Sequence, residues 1–287
     1  MQTRTIGPVT VSAIGLGGMP MSIEGRPDEA RSIRTIHAAL DAGVTLIDTA
    51  DAYHMNAGET GHNERLIAKA LASYPGDASG VLVATKGGHL RPGDGSWTVD
   101  GSPAHLQEAA EASLKALGVD AIGLYQFHRP DPKAPYAESI GAIKALLDAG
   151  KIRLAGISNA SIEQIEEARS ILGEGNLASV QNQFSPAFRS SEGELRHCAE
   201  LGIAFLPWSP LGGSDRAGKL GTRHTAFGQV AEAYGVSPQR VALAWMLAKA
   251  PVVIPIPGAS RPESIIDSAQ AFQLALTTEE LALLDAS

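Results

Sequence analysis

Four residues of types that take part in proton transfer lie in three short motifs. Asp48 and Tyr53 belong to IDTADAY, Lys86 to VATKGG and His128 to YQFHRPD. An ammonium near a phenol favours the phenolate, so Lys86 is expected to lower the pKa of Tyr53 from its reference of about 10 towards working pH. Tyr53 could then protonate a developing alkoxide or deprotonate an alcohol. His128 would orient and polarise a carbonyl oxygen, and Asp48 would hold Lys86 in place and charged.

The elements that must position these residues are short apolar runs alternating with amphipathic stretches. Helical stretches such as SPAHLQEAAEASLKALG carry start and stop signals, here Ser102 as N-cap and Gly118 as the stop. This alternation predicts a (β/α)8 TIM barrel in a single domain, 1–287. The segment RTIG-PVTVS predicts an N-terminal β-hairpin that plugs the bottom of the barrel. The predicted strands are 13–16, 44–47, 81–84, 121–125, 154–157, 178–180, 203–206 and 252–256.

Most of the predicted strands end in a polar or aromatic residue. Strands of such a barrel end at the face that carries active sites, so these side chains are expected to converge on one pocket. Each also has a structural explanation when taken alone: Asp48 as a helix cap, Lys86 as a turn lysine, Trp208 as a core residue. Their joint occurrence at successive strand ends favours a site. The strand-end residues are Asp48, Lys86, His128, Ser158 with Asn159, Gln181 and Trp208.

Composition excludes several other classes of protein. The 287 residues carry a net charge of −8 with no basic run, which disfavours nucleic acid as a partner. No apolar stretch is long enough to span a membrane, and the N-terminal segment lacks the shape of a signal peptide, so we expect a cytoplasmic protein. Cys198 is the only cysteine, and the spacing of His54 and His62 matches no zinc site, so no metal is expected. The oligomeric state stays open.

The motifs resemble those of the aldo-keto reductase family along essentially the whole chain. They run in order from GLGGM through IDTADAY, ATKGG, QFHRPD, GKIRLAGISN, SVQNQFSP, PWSPLGG and ALAWML to IPIPGASRPE. The resemblance implies a TIM barrel that binds NAD(P)H in extended form without a Rossmann domain. It implies hydride transfer to a small-molecule aldehyde or ketone, with Asp48, Tyr53, Lys86 and His128 as the catalytic tetrad.

The same resemblance assigns the residues around the nicotinamide and the pyrophosphate. Ser158, Asn159 and Gln181 match residues that hydrogen-bond the carboxamide, and Trp208 matches the aromatic residue that stacks on the nicotinamide ring. Asp48 and Ile256 are also assigned to the cofactor site. The loop that wraps the pyrophosphate corresponds to Ser209, Pro210, Leu211 and Gly212. The segment beside the cofactor and the substrate corresponds to Gly17, Gly18 and Met19.

The segment that matches the adenosine site departs from the family pattern. Many relatives carry a Lys-Ser or Gly-Thr pair, then an Arg, then Glu-Asn, to bind the 2′-phosphate. Here Arg261 could replace the missing cation, because a guanidinium suits bidentate phosphate contacts. NADP(H) is therefore the expected cofactor, with NAD(H) as the alternative. The residues at these positions are Gly258 with Ala259, Ser260, Arg261, Ser264, and Asp267 with Ser268.

The sequence says less about the identity of the substrate. Trp97, in the loop after Lys86, is a candidate pocket wall or a latch on the barrel rim, and Met19, Tyr53 and His128 would also face the substrate. The PLGG loop resembles bacterial pyridoxal reductases or short-tailed aldehyde reductases. Two other functions stay open: a Schiff-base lyase or aldolase that uses Lys86, and a binding module that senses the redox state of the cofactor.

Overall fold

Strands and helices alternate along most of the chain, as the apolar runs predict. The structure, a computed structural model, describes residues 2–287, leaving out the side chains of Ser214 and Asp215. The strands are β1 (Thr3–Ile6), β2 (Val9–Ser12), β3 (Leu16–Gly17), β4 (Leu46–Asp48), β5 (Leu82–Gly87), β6 (His89–Leu90), β7 (Thr98–Val99), β8 (Ile122–Phe127), β9 (Ile152–Ser158), β10 (Leu177–Gln181) and β11 (Ala204–Phe205).

The helices between these strands cover the outside of the sheet. They are α1 (Glu29–Asp41), α2 (His62–Ala72), α3 (Pro103–Leu117), α4 (Tyr136–Asp148), α5 (Ile162–Leu172), α6 (Glu192–Leu201), α7 (Ser214–Ala217), α8 (Leu220–Arg223), α9 (Thr225–Tyr234), α10 (Pro238–Lys249), α11 (Pro262–Ala269) and α12 (Thr278–Asp285). Short 3-10 turns occur at Met19–Met21 and Gln270–Gln273. The expected caps of α3 are confirmed: the Ser102 side chain accepts from the His105 amide, and Gly118 is left-handed with φ of 67°. No helix in the described chain has the length and apolar character needed to cross a membrane.

The main sheet curls into the barrel that the sequence predicts. Its strands pair in the parallel order β11-β10-β9-β8-β5-β4-β3. The predicted eighth strand closes the ring without becoming a regular strand. In this segment the Pro257 carbonyl accepts from the Gly17 amide at 2.9 Å, and the Ile254 amide donates to the Phe205 carbonyl at 2.9 Å. Pro255 and Pro257 have no N–H group, so the segment cannot form a full hydrogen-bonded ladder.

The predicted N-terminal hairpin closes the bottom of the barrel. Strands β1 and β2 pair antiparallel, and the side chains of Ile6 and Val11 are buried. They pack in one cluster with inward-facing residues of the barrel strands, among them Leu46, Leu124 and Ala178. The lower barrel is therefore filled with aliphatic side chains, which leaves its upper, carboxyl end for polar residues.

We predict that Ile6→Ala lowers the free energy of unfolding by about 2–5 kcal/mol, because it empties a site at the barrel floor. Chemical denaturation monitored by circular dichroism measures the change. Ile266→Ala is the matched control, since Ile266 is 40% exposed on α11, and should cost less than about 1 kcal/mol. Equal losses in the two variants would contradict the assignment of the hairpin as a stabilising plug.

Candidate active site

The carboxyl ends of three neighbouring barrel strands bring the tetrad together. Asp48 is the last residue of β4, Lys86 lies near the end of β5, and His128 directly follows β8. Side chains alternate along a strand, so Lys86 points into the barrel above the interior residues Leu82 and Ala84. The strands extend past the predicted runs because their polar end residues remain paired in the sheet.

The Lys86 ammonium is the centre of the site. It is fully buried and donates to Asp48 Oδ1 at 2.6 Å, to the Thr49 carbonyl oxygen at 2.7 Å and to the Tyr53 hydroxyl oxygen at 3.3 Å. These acceptors satisfy all three ammonium hydrogens. Burial alone would lower the pKa of Lys86, but the attraction of Asp48 and Tyr53 outweighs burial and raises it. A charged amine is not a nucleophile, so the geometry gives no support to Schiff-base chemistry.

The pKa of Tyr53 differs from the sequence expectation. Burial raises this pKa above its ordinary value, and Lys86 offsets only part of that rise. The expected lowering was wrong because it counted the cation and ignored the loss of solvent around the phenol. At neutral pH the Tyr53 hydroxyl is therefore protonated. Since its oxygen accepts from Lys86, its own hydrogen is free to be donated.

His128 lies beside Tyr53 and is neutral at physiological pH. The two ring centroids are 5.9 Å apart in an edge-to-face arrangement. Burial lowers the pKa of His128 well below its ordinary value, and the charges of Lys86 and Arg129 lower it further. Tyr53 and His128 keep 7% and 8% of their surface exposed whereas Lys86 has none, so a molecule bound at the site can contact these two residues but not the lysine. Together they can present hydrogen-bond donors to one carbonyl oxygen.

A pair of glutamine side chains supports the other oxygen of Asp48. Gln181 Nε2 donates to Asp48 Oδ2 at 2.7 Å, and Gln126 Nε2 lies 3.4 Å from the same atom. Sequence reasoning found Gln181 and missed Gln126. The signal was present, because Gln126 lies two residues before His128 on β8 and so faces the same side of the sheet. The Asp48 carboxylate is thereby held in one orientation against Lys86.

The residues assigned to the nicotinamide also come together. Asn159 Nδ2 donates to the His128 carbonyl at 3.0 Å, and Trp208 Nε1 donates to Asn159 Oδ1 at 3.2 Å. The Ser158 hydroxyl donates to the Gln181 carbonyl at 2.8 Å. Asn159 and Ser209 have positive φ angles of 58° and 49°, which are uncommon for residues other than glycine. Such backbone strain is often found at ligand sites.

The glycines assigned to the cofactor also have a reason within the fold. A Cβ atom on Gly17 would lie 2.9 Å from the Ile256 carbonyl oxygen, and one on Gly258 would lie 2.8 Å from Pro20 Cγ. Both contacts are too short for a side chain. Gly17 in β3 and Gly258 after the closing segment are therefore glycine for reasons of packing, whether or not a cofactor is bound. Met19 lies next to these contacts, half-buried in its 3-10 turn.

The residues assigned to the adenosine end of the cofactor do not all face the same way in the structure. Arg261 is exposed before the first turn of α11, with one guanidinium nitrogen 3.3 Å from the Ser264 hydroxyl. The Asp267 carboxylate instead faces α10: it accepts from the Arg240 guanidinium at 2.6 Å and from the hydroxyl of Ser237, the N-cap of that helix. Asp267 thus joins α11 to α10. Of the other assigned residues, Ser268 in α11 is buried and Ser260, just before α11, is half-buried. In the loop after β11, Pro210 is buried, and Leu211 and Gly212 are half-buried.

Trp97 belongs to a row of aromatic rings that reaches the tetrad. Its ring centroid is 4.7 Å from that of His89, which in turn is 4.7 Å from that of His128. The Arg91 guanidinium lies over the indole at 4.6 Å. Sequence reasoning missed His89 and Arg91, because neither follows a predicted strand. The antiparallel pair β6 and β7 folds this loop back onto the site.

In the described part of the chain, no three His, Cys, Asp or Glu side chains are grouped so that they could hold an ion. Cys198 is buried in the core, where burial raises the pKa of its thiol to about 12.

Comparison with known proteins shows which family the chain belongs to. The model of the Aldo/keto reductase family matches residues 13–287. The chain is 35% identical to a 6-dehydroglucose reductase of Novosphingobium aromaticivorans over 273 residues, 93% of this chain and 88% of the relative. A thermostable aldo-keto reductase solved with the inhibitor epalrestat superposes with a TM-score of 0.83 at 28% identity, covering 100% of this chain and 99% of that one.

A second solved structure carries a nicotinamide cofactor. It is an aldo/keto reductase from Klebsiella pneumoniae in complex with NADP and acetate, with a TM-score of 0.81 at 28% identity over 99% of this chain and 95% of that one. Fold and sequence thus match those of the family over nearly the whole length. The chain belongs to the aldo/keto reductase family of nicotinamide-dependent oxidoreductases.

Proposed function

We propose that the protein reduces an aldehyde or ketone to the alcohol with NADPH, and that Tyr53 donates the proton. The observation that carries this proposal is the contact between the buried Lys86 ammonium and the Tyr53 hydroxyl oxygen at 3.3 Å. A lysine in this place leaves the phenol hydrogen free and stabilises the phenolate that forms when the hydrogen leaves. The bound cofactor supplies the hydride to the carbonyl carbon.

The residues of the tetrad then have separate roles. Tyr53 and His128 hold the carbonyl oxygen of the substrate and polarise it before the transfer. Tyr53 gives its proton to the oxygen as negative charge develops there. Lys86 stabilises the resulting phenolate, and Asp48 keeps the ammonium charged and fixed. The pKa of Tyr53 is raised, so the acid form needed for reduction is present throughout the neutral range.

The nicotinamide end would be held by Ser158, Asn159 and Gln181, with Trp208 behind the ring. Trp208 is fixed by its hydrogen bond to Asn159, which makes it a rigid surface for stacking. A stack of this kind determines which face of the nicotinamide is turned towards the substrate. Gln181 would have to share its amide between Asp48 and the cofactor.

Selection of NADPH over NADH would rest on Arg261. This guanidinium is exposed, and the hydrogen bond shown for it goes to a neutral hydroxyl, that of Ser264. It is therefore available to a phosphate, for which arginine provides charge and a bidentate fork. Asp267 is neutralised by Arg240, so it would not repel a phosphate strongly. The solved Klebsiella relative that contains NADP supports the same preference.

Binding without catalysis is the weaker alternative. A protein that only senses the cofactor needs neither a proton donor nor a cation placed to stabilise its phenolate. All four tetrad residues are present and in contact with one another. The function that the site supports best is therefore a reductase that turns over. Steady oxidation of NADPH by added aldehyde, followed by absorbance at the nicotinamide band, tests this directly.

We predict that Tyr53→Phe lowers kcat at least about 100-fold, since it removes the general acid. Binding of NADPH, followed by quenching of tryptophan fluorescence, should change less than about threefold, because the phenol is assigned to the substrate oxygen. Tyr74→Phe is the control: its hydroxyl donates to Asp41 on the exposed surface, and its loss should leave kcat unchanged. Full activity in Tyr53→Phe would refute the role of Tyr53.

We further predict that Arg261→Ala weakens NADPH binding at least about tenfold, because one charge-assisted contact is lost. NADH binding should change less than about twofold, since NADH lacks the 2′-phosphate. Titrations of both cofactors with the same protein sample give the two dissociation constants. Arg153→Ala serves as the matched control, because Arg153 is exposed at the start of β9, on the opposite face of the barrel. Equal weakening of both cofactors would show that Arg261 does not bind the 2′-phosphate.

A further inference from the structure

A single buried arginine connects three segments of the chain beside the tetrad. Arg91 directly follows β6, and its side chain is only 2% exposed. Its Nη1 atom donates to the His54 carbonyl oxygen at 2.6 Å, and its Nη2 atom donates to the Glu24 carboxylate. Its guanidinium also lies 4.6 Å from the centre of the Trp97 ring. Because Glu24 follows the first 3-10 turn, His54 lies in the loop after β4 and Trp97 directly precedes β7, one side chain ties these three segments together.

The ion pair that Arg91 makes adds too little stability to explain why the guanidinium is buried. The Glu24 side chain is 58% exposed, and an ion pair with an exposed partner is typically worth less than about 1 kcal/mol. Removing a guanidinium from water costs more than that. Arg91 Nε adds to the cost, since it is shielded from solvent and has no hydrogen-bond partner. Groups that are costly to the fold are often found at functional sites, so the neighbours of Arg91 indicate its role.

The hydrogen bond to the His54 carbonyl fixes the main chain next to Tyr53. His54 is the residue after Tyr53, and the chain has left the sheet at this point, because β4 ends at Asp48. The Tyr53 hydroxyl is held at the far end of its side chain by Lys86 at 3.3 Å. The main chain of the loop needs its own support if the phenol is to keep one orientation. Arg91 gives this support through a buried, charge-assisted hydrogen bond.

The contact with Trp97 connects Arg91 to His128 through packed rings. Trp97 contacts His89, and His89 contacts His128 edge to face, with 4.7 Å between the ring centroids in each pair. The Nδ1 atom of His128 is buried without a hydrogen-bond partner, so the orientation of this ring depends on packing. A guanidinium on the indole is attracted to its π-electrons. By holding Trp97, Arg91 limits the movement of His89 and therefore of the His128 ring.

We propose that Arg91 is a positioning residue that holds Tyr53 and His128 at the spacing needed to bind one carbonyl oxygen. The proposal rests on the reductase function proposed above. The contacts of Arg91 include no residue assigned to the cofactor. Its loss should therefore slow the reaction and leave NADPH binding intact. A displacement of the reacting groups by about 1 Å can lower a rate by ~100-fold, so a residue that touches neither substrate nor cofactor can have a large effect.

The test measures kcat and the NADPH dissociation constant of Arg91→Ala in the whole protein, with butanal and benzaldehyde as substrates. We expect kcat to fall at least about tenfold, because both hydrogen-bond donors lose their support. The dissociation constant of NADPH should change less than about threefold.

Guanidinium chloride at millimolar concentration should then restore kcat of Arg91→Ala several-fold, since the free ion presents the same planar donors as the lost side chain. Sodium chloride at the same concentration controls for ionic strength. Guanidinium is a denaturant, so a variant that was only less stable would lose activity in its presence rather than gain it.

Arg34→Ala is the matched control, since Arg34 is exposed on α1, and it should change neither quantity, with or without guanidinium. Unchanged kcat in Arg91→Ala would overturn the positioning role. So would a parallel loss of NADPH binding, which would mean a general loosening of the catalytic face, or a loss of kcat that guanidinium does not restore. If the wild type reduced neither aldehyde, the proposed reductase function would fail and not this inference alone.

Discussion

The buried pairing of Lys86 with Asp48 is the interaction on which the rest of the site depends. Removing an ammonium and a carboxylate from water costs several kcal/mol per ion, so the pair is stable only if every remaining polar atom is satisfied. Thr49 and Tyr53 complete the hydrogen bonds of Lys86, and the glutamine on β10 completes those of Asp48. The polar upper layer of the barrel is thus a single network, built around one ion pair, and the tyrosine belongs to it.

The barrel has an aliphatic lower layer and a polar upper layer, and the candidate site lies in the upper one. The floor is aliphatic and sealed by the N-terminal hairpin, so the packing of the lower barrel does not involve the candidate catalytic groups. The upper layer can then hold strained or unpaired groups, such as the left-handed Asn159 and the unpartnered Nδ1 of His128. Barrels of this type carry function at the carboxyl ends of their strands for the same reason.

Much of the fold and the tetrad could be predicted from the sequence because both follow from local patterns. Short apolar runs predicted the strands, helix caps predicted α3, and the residues at the strand ends indicated the candidate site. Other features depend on three-dimensional surroundings. Gln126 is one polar residue within an apolar strand, His89 meets His128 only after a hairpin folds back, and Asp267 turns to Arg240 rather than outwards. The pKa of Tyr53 was missed because desolvation cannot be read from residue types alone.

The proline-rich closing segment has a consequence for folding as well as for geometry. Before the ring closes, the curled sheet has two open edges, and an open edge with regularly spaced amide hydrogens can pair with a second chain and aggregate. Pro255 and Pro257 remove donors from the segment that closes the barrel last in the chain. The buried side chains of Val253, Ile254 and Ile256 help to hold the segment beside the few backbone hydrogen bonds that it makes. The same residues that prevent a regular ladder thus make this strand a poor template for intermolecular β-sheet.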